Sequence, residues 1–286
     1  MTRKLLARWT VRCWGASARL ACIGALVATA LLAGRLDVSA QTPSASLPGV
    51  DPALLEDIVV GSRILADFGV VDGFGHVSAR SPTNPNHFLM SRSLAPALVT
   101  ADDIMEFDLD GNPVDARGRT VFLERFIHSE IYKARPDVMS VCHNHSAATI
   151  PFGVSDVPLK PIFHMGSVIG HEAPVWDIAD EFGPTNLLVT TPAAGASLAK
   201  ALGDGRVVLM RGHGATVVGH SLREVVFTSV YMQRNAELAT AARNFTNVKF
   251  LSGDEIDLAA ELLFQPLSQD RAWDDWTKRL GPLEGV

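Results

Sequence analysis

From Asp51 onward the chain alternates between helical and strand-like patterning. Leu54, Leu55, Ile58, Val59 and Leu65 recur at helical spacing behind Asp51-Pro52, an N-cap followed by proline in the first turn, and Gly69 marks the stop. Residues 70–120 are turn-rich and strand-like, with Asp110-Gly111-Asn112-Pro113 as a clear turn. A second helix is predicted from about Phe122 to Ala134, ended by Arg135-Pro136, because the residue before a proline is pushed out of the helical region. Val138 to His145 and Val207 to Met210 read as short strands. Thr191-Pro192 opens a third helix that Gly203 closes. Ser221-Leu222-Arg223-Glu224 heads a long amphipathic helix as a capping box. No composition break falls within 51–265, so these elements predict one α/β domain. Residues 266–286, with Trp273 and Trp276, form a C-terminal tail that the pattern does not place.

The first forty residues differ in kind. Arg3, Lys4, Arg8, Arg12 and Arg19 precede an uncharged run from Leu20 to Gly34, and Val38-Ser39-Ala40 offers a small-x-small site before Gln41. A basic segment, a short apolar segment and a small-residue end describe a secretory signal peptide over 1–40. The apolar run falls short of the roughly twenty residues that span a bilayer, so no stable membrane span is expected after cleavage. Residues 41–50 are Pro/Ser-rich and read as a linker. The expected compartment is therefore outside the cytoplasm, most simply the periplasm.

Removing that segment changes the charge balance. It holds six Lys/Arg and one acid, so 25 basic and 31 acidic residues become 19 and 30, a formal charge of −11. So acidic a chain lacks the basic footprint of a nucleic-acid binder. Of three cysteines only Cys142 remains, so no intramolecular disulfide can support the fold. All nine histidines lie in the retained part.

Three of those histidines stand out. His143-Asn144-His145 ends a predicted strand, where residues i and i+2 share a face, so both imidazoles can converge on one metal ion. His213 sits between Gly212 and Gly214 after an apolar strand and is a candidate third ligand. His128, His164, His171 and His220 compete for that role, and spacing does not choose among them. Glu124 lies near the start of an amphipathic helix, where an acid is either a dipole partner or, beside a metal, a ligand or general acid/base.

Taken in order, Glu124, the helix ending Tyr132-Lys133-Ala134-Arg135-Pro136, His143-Asn144-His145 and Arg211-Gly212-His213-Gly214 resemble the class II aldolase/adducin family. Gly75-His76-Val77-Ser78 looks like that family's Gly-Asn-x-Ser loop with a histidine in place of the asparagine. The resemblance covers roughly residues 51–250. It implies a three-layer α/β/α sandwich around a largely antiparallel sheet, one divalent ion (Zn²⁺ or Mn²⁺) per subunit on His143, His145 and His213, and Glu124 as acid/base that can also ligate. It further implies a homotetramer acting on a small-molecule substrate.

The reaction within the family turns on departures from the sugar-phosphate aldolases. Those enzymes carry Ser-Ser before the acid/base glutamate, whereas this chain has Phe122-Leu123. Met90-Ser91-Arg92-Ser93 places a guanidinium, suited to a carboxylate, where the aldolases have a Thr/Gly-type loop. Phe74-Gly75-His76-Val77-Ser78, Met90-Ser91-Arg92-Ser93, Glu124-Arg125-Phe126-Ile127-His128 and Leu209-Met210-Arg211-Gly212-His213-Gly214-Ala215-Thr216-Val217-Val218 are similar to the hydroxy-methylpyridine-dicarboxylate decarboxylase branch. That likeness implies a metal-dependent lyase removing CO₂ from a hydroxylated (hetero)aromatic acid, with Glu124 kept partly protonated as proton donor. His76, Ser91 and Arg92 would bind substrate. The alternatives are an aldolase or epimerase on an unphosphorylated hydroxy-carbonyl or sugar, and a non-catalytic secreted scaffold of the same fold.

Overall fold

The computed structural model describes residues 47, 49–282, 284 and 285. The signal segment expected over 1–40, and residues 41–46 and 48 of the expected linker, lie outside the described residues. Helix α1 (Pro52–Asp67) starts as its sequence predicts, with the Asp51 carboxylate accepting the Ala53 N–H at 3.0 Å and Gly69 turning the chain away at φ 64°. Three strands follow within the turn-rich stretch: β1 (His76–Arg80), β2 (His87–Ser91) and β3 (Ile104–Asp108).

Helix α2 (Arg125–Ala134) begins three residues later than the expected Phe122, with Glu124 at the N-cap position. The reason is tertiary: the Glu124 carboxylate caps no helical amide and instead accepts the Val189 N–H at 3.0 Å. Strand β4 (Ser140–Asn144) and the short α3 (Ile150–Gly153) follow, then β5 (Val175–Trp176) and α4 (Ile178–Phe182). Helix α5 (Pro192–Leu202) has the Thr191 cap and Gly203 stop that its sequence predicts. Strands β6 (Val207–Met210) and β7 (Gly214–Gly219) lead into α6 (Leu222–Ala242), α7 (Gly253–Leu263) and α8 (Pro266–Leu280).

Only half of the capping box expected at α6 forms. Ser221 Oγ accepts the Glu224 N–H at 3.1 Å, but the Glu224 carboxylate turns to Arg206 and His220, each at 3.5 Å. A reciprocal box does form at α7, between Ser252 and Glu255.

The seven strands make one sheet in the order β3-β2-β1-β4-β7-β6-β5, antiparallel except for β5 beside β6. Alternation along the strands sorts the apolar side chains onto two faces. Val77, Leu89, Cys142 and Val217 pack with α1, α6 and α8, whereas Phe88, Met90, Val141 and Val218 pack with α2 and α5. Helices therefore cover both faces, giving the three-layer α/β/α sandwich. The unplaced tail residues form α8, which buries Trp273 and Trp276 in the α1/α6 core. Among the described residues no helix is long and apolar enough to cross a membrane.

Candidate metal centre

Strand β4 lies at the middle of the sheet, where His143 pairs with His76 of β1 on one side and Thr216 of β7 on the other. His143 faces the α2 layer, and His145, two residues on, follows it to the same side. The turn between β6 and β7 brings in His213, whose N–H donates to the Met210 carbonyl at 3.0 Å. Gly212 bends that turn at φ 67°. Gly214 is needed for a different reason. A Cβ there would overlap the Asn144 carbonyl oxygen, so only glycine lets β7 approach β4 this closely. Glu124 enters from the head of α2.

These four side chains meet. His145 Nε2 lies 3.1 Å from both His143 Nε2 and His213 Nε2, and Glu124 Oε2 lies 3.6 Å from each of those two nitrogens. One candidate ligand atom from each of the four lies within 4.8 Å of all the others. The Val189 N–H fixes Glu124 Oε1, leaving Oε2 toward the rings. His213 Nδ1 lies 3.0 Å from the Leu187 carbonyl oxygen, which can only accept, so the ring proton sits on Nδ1 and the Nε2 lone pair faces inward. Leu187 itself adopts φ 68°, a left-handed conformation rare for a leucine, and this turns its carbonyl to the histidine. His143 Nδ1 is buried with no hydrogen-bond partner, and that ring is held by packing against His76, His145 and His213.

The donor set fits a divalent ion. His145 Nε2 has two nitrogens at hydrogen-bond distance, and a single proton cannot bridge both. Ligand atoms of a tetrahedral site with bonds of roughly 2.0–2.1 Å stand about 3.3–3.4 Å apart, close to the separations seen here. Electrostatics agree. Burial alone would raise the Glu124 pKa, but the contacts with His213 and His143 and the hydrogen bond from the Val189 amide outweigh it and hold the carboxyl well below its usual range. That direction favours the ionised carboxylate, whereas the sequence leads one to expect a partly protonated acid. Burial also pushes His143 well below its ordinary value, which keeps the imidazole a neutral ligand.

The competing histidines lie elsewhere. His171 pairs with Asp257 at 2.8 Å, His220 with Glu224 at 3.5 Å, and His164 packs against the Phe163 ring. His128 is buried in a hydrogen-bonded row with His76, Ser78 and Tyr132. Of the expected substrate residues, His76 borders the cluster, its ring centroid 5.3 Å from that of His143 and 4.4 Å from that of Phe122. Arg92 directly follows the last residue of β2. Arg92 Nε holds Asp103 Oδ1 at 2.6 Å. Ser91 pairs with Ile104 on the α1 face of the sheet, away from the face that carries His76 and His143. Sequence reasoning missed the Leu187 and Val189 backbone groups and the exposed ring of Phe74, which lies 6.4 Å from the His145 ring. Backbone groups carry no residue-type signal. Phe74 stands within Asp72-Gly73-Phe74-Gly75, which is legible as a turn but not as a wall of the site.

Residues 56–240 match the Class II Aldolase and Adducin N-terminal domain. The chain belongs to this family. Relatives of this class II aldolase/adducin domain include the decarboxylase tropJ of Talaromyces stipitatus, 33% identical over 82% of this chain and 96% of the relative. A 3,4-dihydroxyphthalate decarboxylase of Arthrobacter keyseri is 30% identical over 64% of this chain and 76% of its own length. Among solved structures, an aldolase II superfamily protein from Pseudomonas syringae superposes with a TM-score of 0.68 at 23% identity, covering 82% of this chain and 96% of that one. The fold is thus that of the class II aldolases, and the protein is a lyase-type enzyme.

Proposed function

We propose that this family member is a divalent-metal-dependent decarboxylase of hydroxylated aromatic or heteroaromatic carboxylic acids. One observation carries the substrate class. The positions before Glu124, where the sugar-phosphate aldolases place hydroxyls, hold Phe122 against the His76 ring and Leu123 open to solvent. An apolar wall beside the cluster suits a flat ring and offers nothing to a phosphate. Two similar proteins named as decarboxylases support the same reading.

His143, His145 and His213 would hold the ion, with Glu124 beside them. Bound there, a divalent ion supplies Lewis acidity that draws electron density from substrate oxygens. Glu124, ionised and with Oε2 facing inward, takes the proton of the ring hydroxyl and returns it to the carbon that bears the carboxylate. The C–C bond to CO₂ breaks as the C–H bond forms, and the product phenolate takes its proton from water. Arg92 uses Nε for Asp103 and leaves its remaining guanidinium N–H groups for a substrate carboxylate.

The test follows CO₂ release from hydroxylated aromatic acids by metal-loaded enzyme, beside aldol cleavage of free and phosphorylated hydroxy-sugars. Decarboxylation that falls about 10²–10⁴-fold in Glu124→Gln supports the reading. Aldol cleavage without CO₂ release transfers the site to the aldolase branch. We propose further that the enzyme is a homotetramer and that residues 1–40 direct its export. Light scattering and N-terminal sequencing of the secreted protein test these two points.

A further inference from the structure

His76 does not join the ion-binding group, although it stands beside His143. It ends a buried row of side chains. Its Nδ1 lies 2.6 Å from His128 Nε2, His128 Nδ1 lies 2.6 Å from Ser78 Oγ, and Ser78 Oγ lies 2.8 Å from the Tyr132 hydroxyl. Tyr132, His128 and Ser78 are fully or almost fully buried.

The polarity of this row follows from its far end. The Val141 amide donates to the Tyr132 oxygen, and with Ser78 Oγ as the hydroxyl's side-chain partner the phenol proton goes to Ser78. Ser78 then spends its own proton on His128 Nδ1. With Nδ1 accepting, the His128 ring proton lies on Nε2 and is donated to His76 Nδ1. The proton of a neutral His76 ring is thereby forced onto Nε2, which makes no hydrogen bond to any described residue. Burial raises Tyr132, so the phenol at the far end of the row keeps its proton near neutrality.

We infer that His76 presents a fixed Nε2–H donor to an anionic oxygen of the bound substrate, its tautomer imposed from Tyr132 through Ser78 and His128. His76 is then a catalytic residue, and His128, Ser78 and Tyr132 are positioning residues. A donor aimed where negative charge resides stabilises the carboxylate or phenolate oxygen, and its lack of a lone pair explains why a histidine beside the cluster is not a ligand. The inference rests on the proposed function for the kind of ligand bound and on the hydrogen-bond row for the donor.

Two measurements on zinc-loaded full-length protein test it. In ¹⁵N-histidine NMR, His76 is expected to carry its proton on Nε2 in the parent protein and to show both tautomers in Tyr132→Phe. A proton on Nδ1 of His76 in the parent overturns the inference, whatever reaction the enzyme catalyses. In calorimetry with 2-hydroxybenzoate as probe, His76→Phe is expected to bind about 10- to 100-fold more weakly with metal content unchanged, the size of a hydrogen bond to a charged group. His76→Gln, which restores an N–H, is expected to recover most of that loss. Equal affinity in His76→Phe and the parent overturns it as well. Failure to release CO₂ from any aromatic acid would sink the decarboxylase reading and leave the tautomer result standing.

Discussion

His213 Nδ1 and the Leu187 carbonyl oxygen stand 3.0 Å apart, and this one bond decides which nitrogen of the ring looks into the cluster. Without it the tautomers would be nearly equivalent, and the lone pair needed by a metal would face inward only part of the time. His213→Ala is expected to lower bound metal from one per chain to a small fraction. His213→Gln, which keeps the size but supplies a weaker ligand, should lose affinity by at least 10-fold. Elemental analysis after dialysis reads both outcomes, and undiminished metal in His213→Ala would place the ion elsewhere.

Gly214 controls how close β7 comes to β4. An alanine there meets backbone on the opposing strand, which cannot swing aside as a side chain can. Gly214→Ala is expected to destabilise the protein by about 1–3 kcal/mol, as overpacking does, and to reduce metal affinity by moving His213 away from His145. Urea unfolding and metal titration check the two effects. A stable variant with normal affinity would show that the strands have room to spare.

Acid should weaken the fold through its buried histidines. Burial, followed by the neighbouring His143, holds His128 down to about 3, whereas the unfolded chain takes up a proton near 6.5. The contribution is fully present above about pH 6.5 and is lost as the pH falls toward 3, by up to about 1.4 kcal/mol per pH unit for the excluded proton. His76, also depressed by burial, acts in the same direction. Chemical unfolding of metal-free protein between pH 7.5 and 5 should show this slope, and His128→Gln should make it shallower. A variant with the parent slope would assign the acid sensitivity to other groups.

The α8 helix should be a working part of the core. Trp276 touches the rings of Phe68, Phe227 and Tyr231, with centroids 5.1, 6.1 and 5.9 Å away. Trp276→Ala is expected to cost about 3–5 kcal/mol, in the range of buried aromatic truncations. Thermal unfolding measures it, and a loss below about 1 kcal/mol would mean that α8 is only loosely attached.

The period-two rule makes His143 and His145 legible as a pair, and the flanking glycines draw attention to His213. Those signals are local. Glu124 is ambiguous from its helix position and becomes distinct only because Val189, distant in sequence, holds one of its oxygens. The α2 start falls three residues late for the same reason: apolar Phe122 and Leu123 extend a helical pattern that Glu124 interrupts. Strand parity separates Ser91 from Met90, but only the layer arrangement says which face bears the chemistry. The α8 helix is obscured because acids and bases surround its two tryptophans, so its narrow apolar stripe is drowned by the overall polarity of the segment. Long-range pairing and backbone carbonyls leave no residue-type signature.

The four donors come from three stretches that meet only when the sandwich is assembled: the head of α2, the end of β4 and the β6–β7 turn. An unfolded chain cannot reproduce that clasp, so whatever the folded protein gains from an ion is withheld from the unfolded one. An ion present at a hundred times its dissociation constant would deepen the native well by about 2.7 kcal/mol. Starvation for metal would then do more than idle the enzyme: it would leave the joint between the sheet and its α2 layer more prone to open.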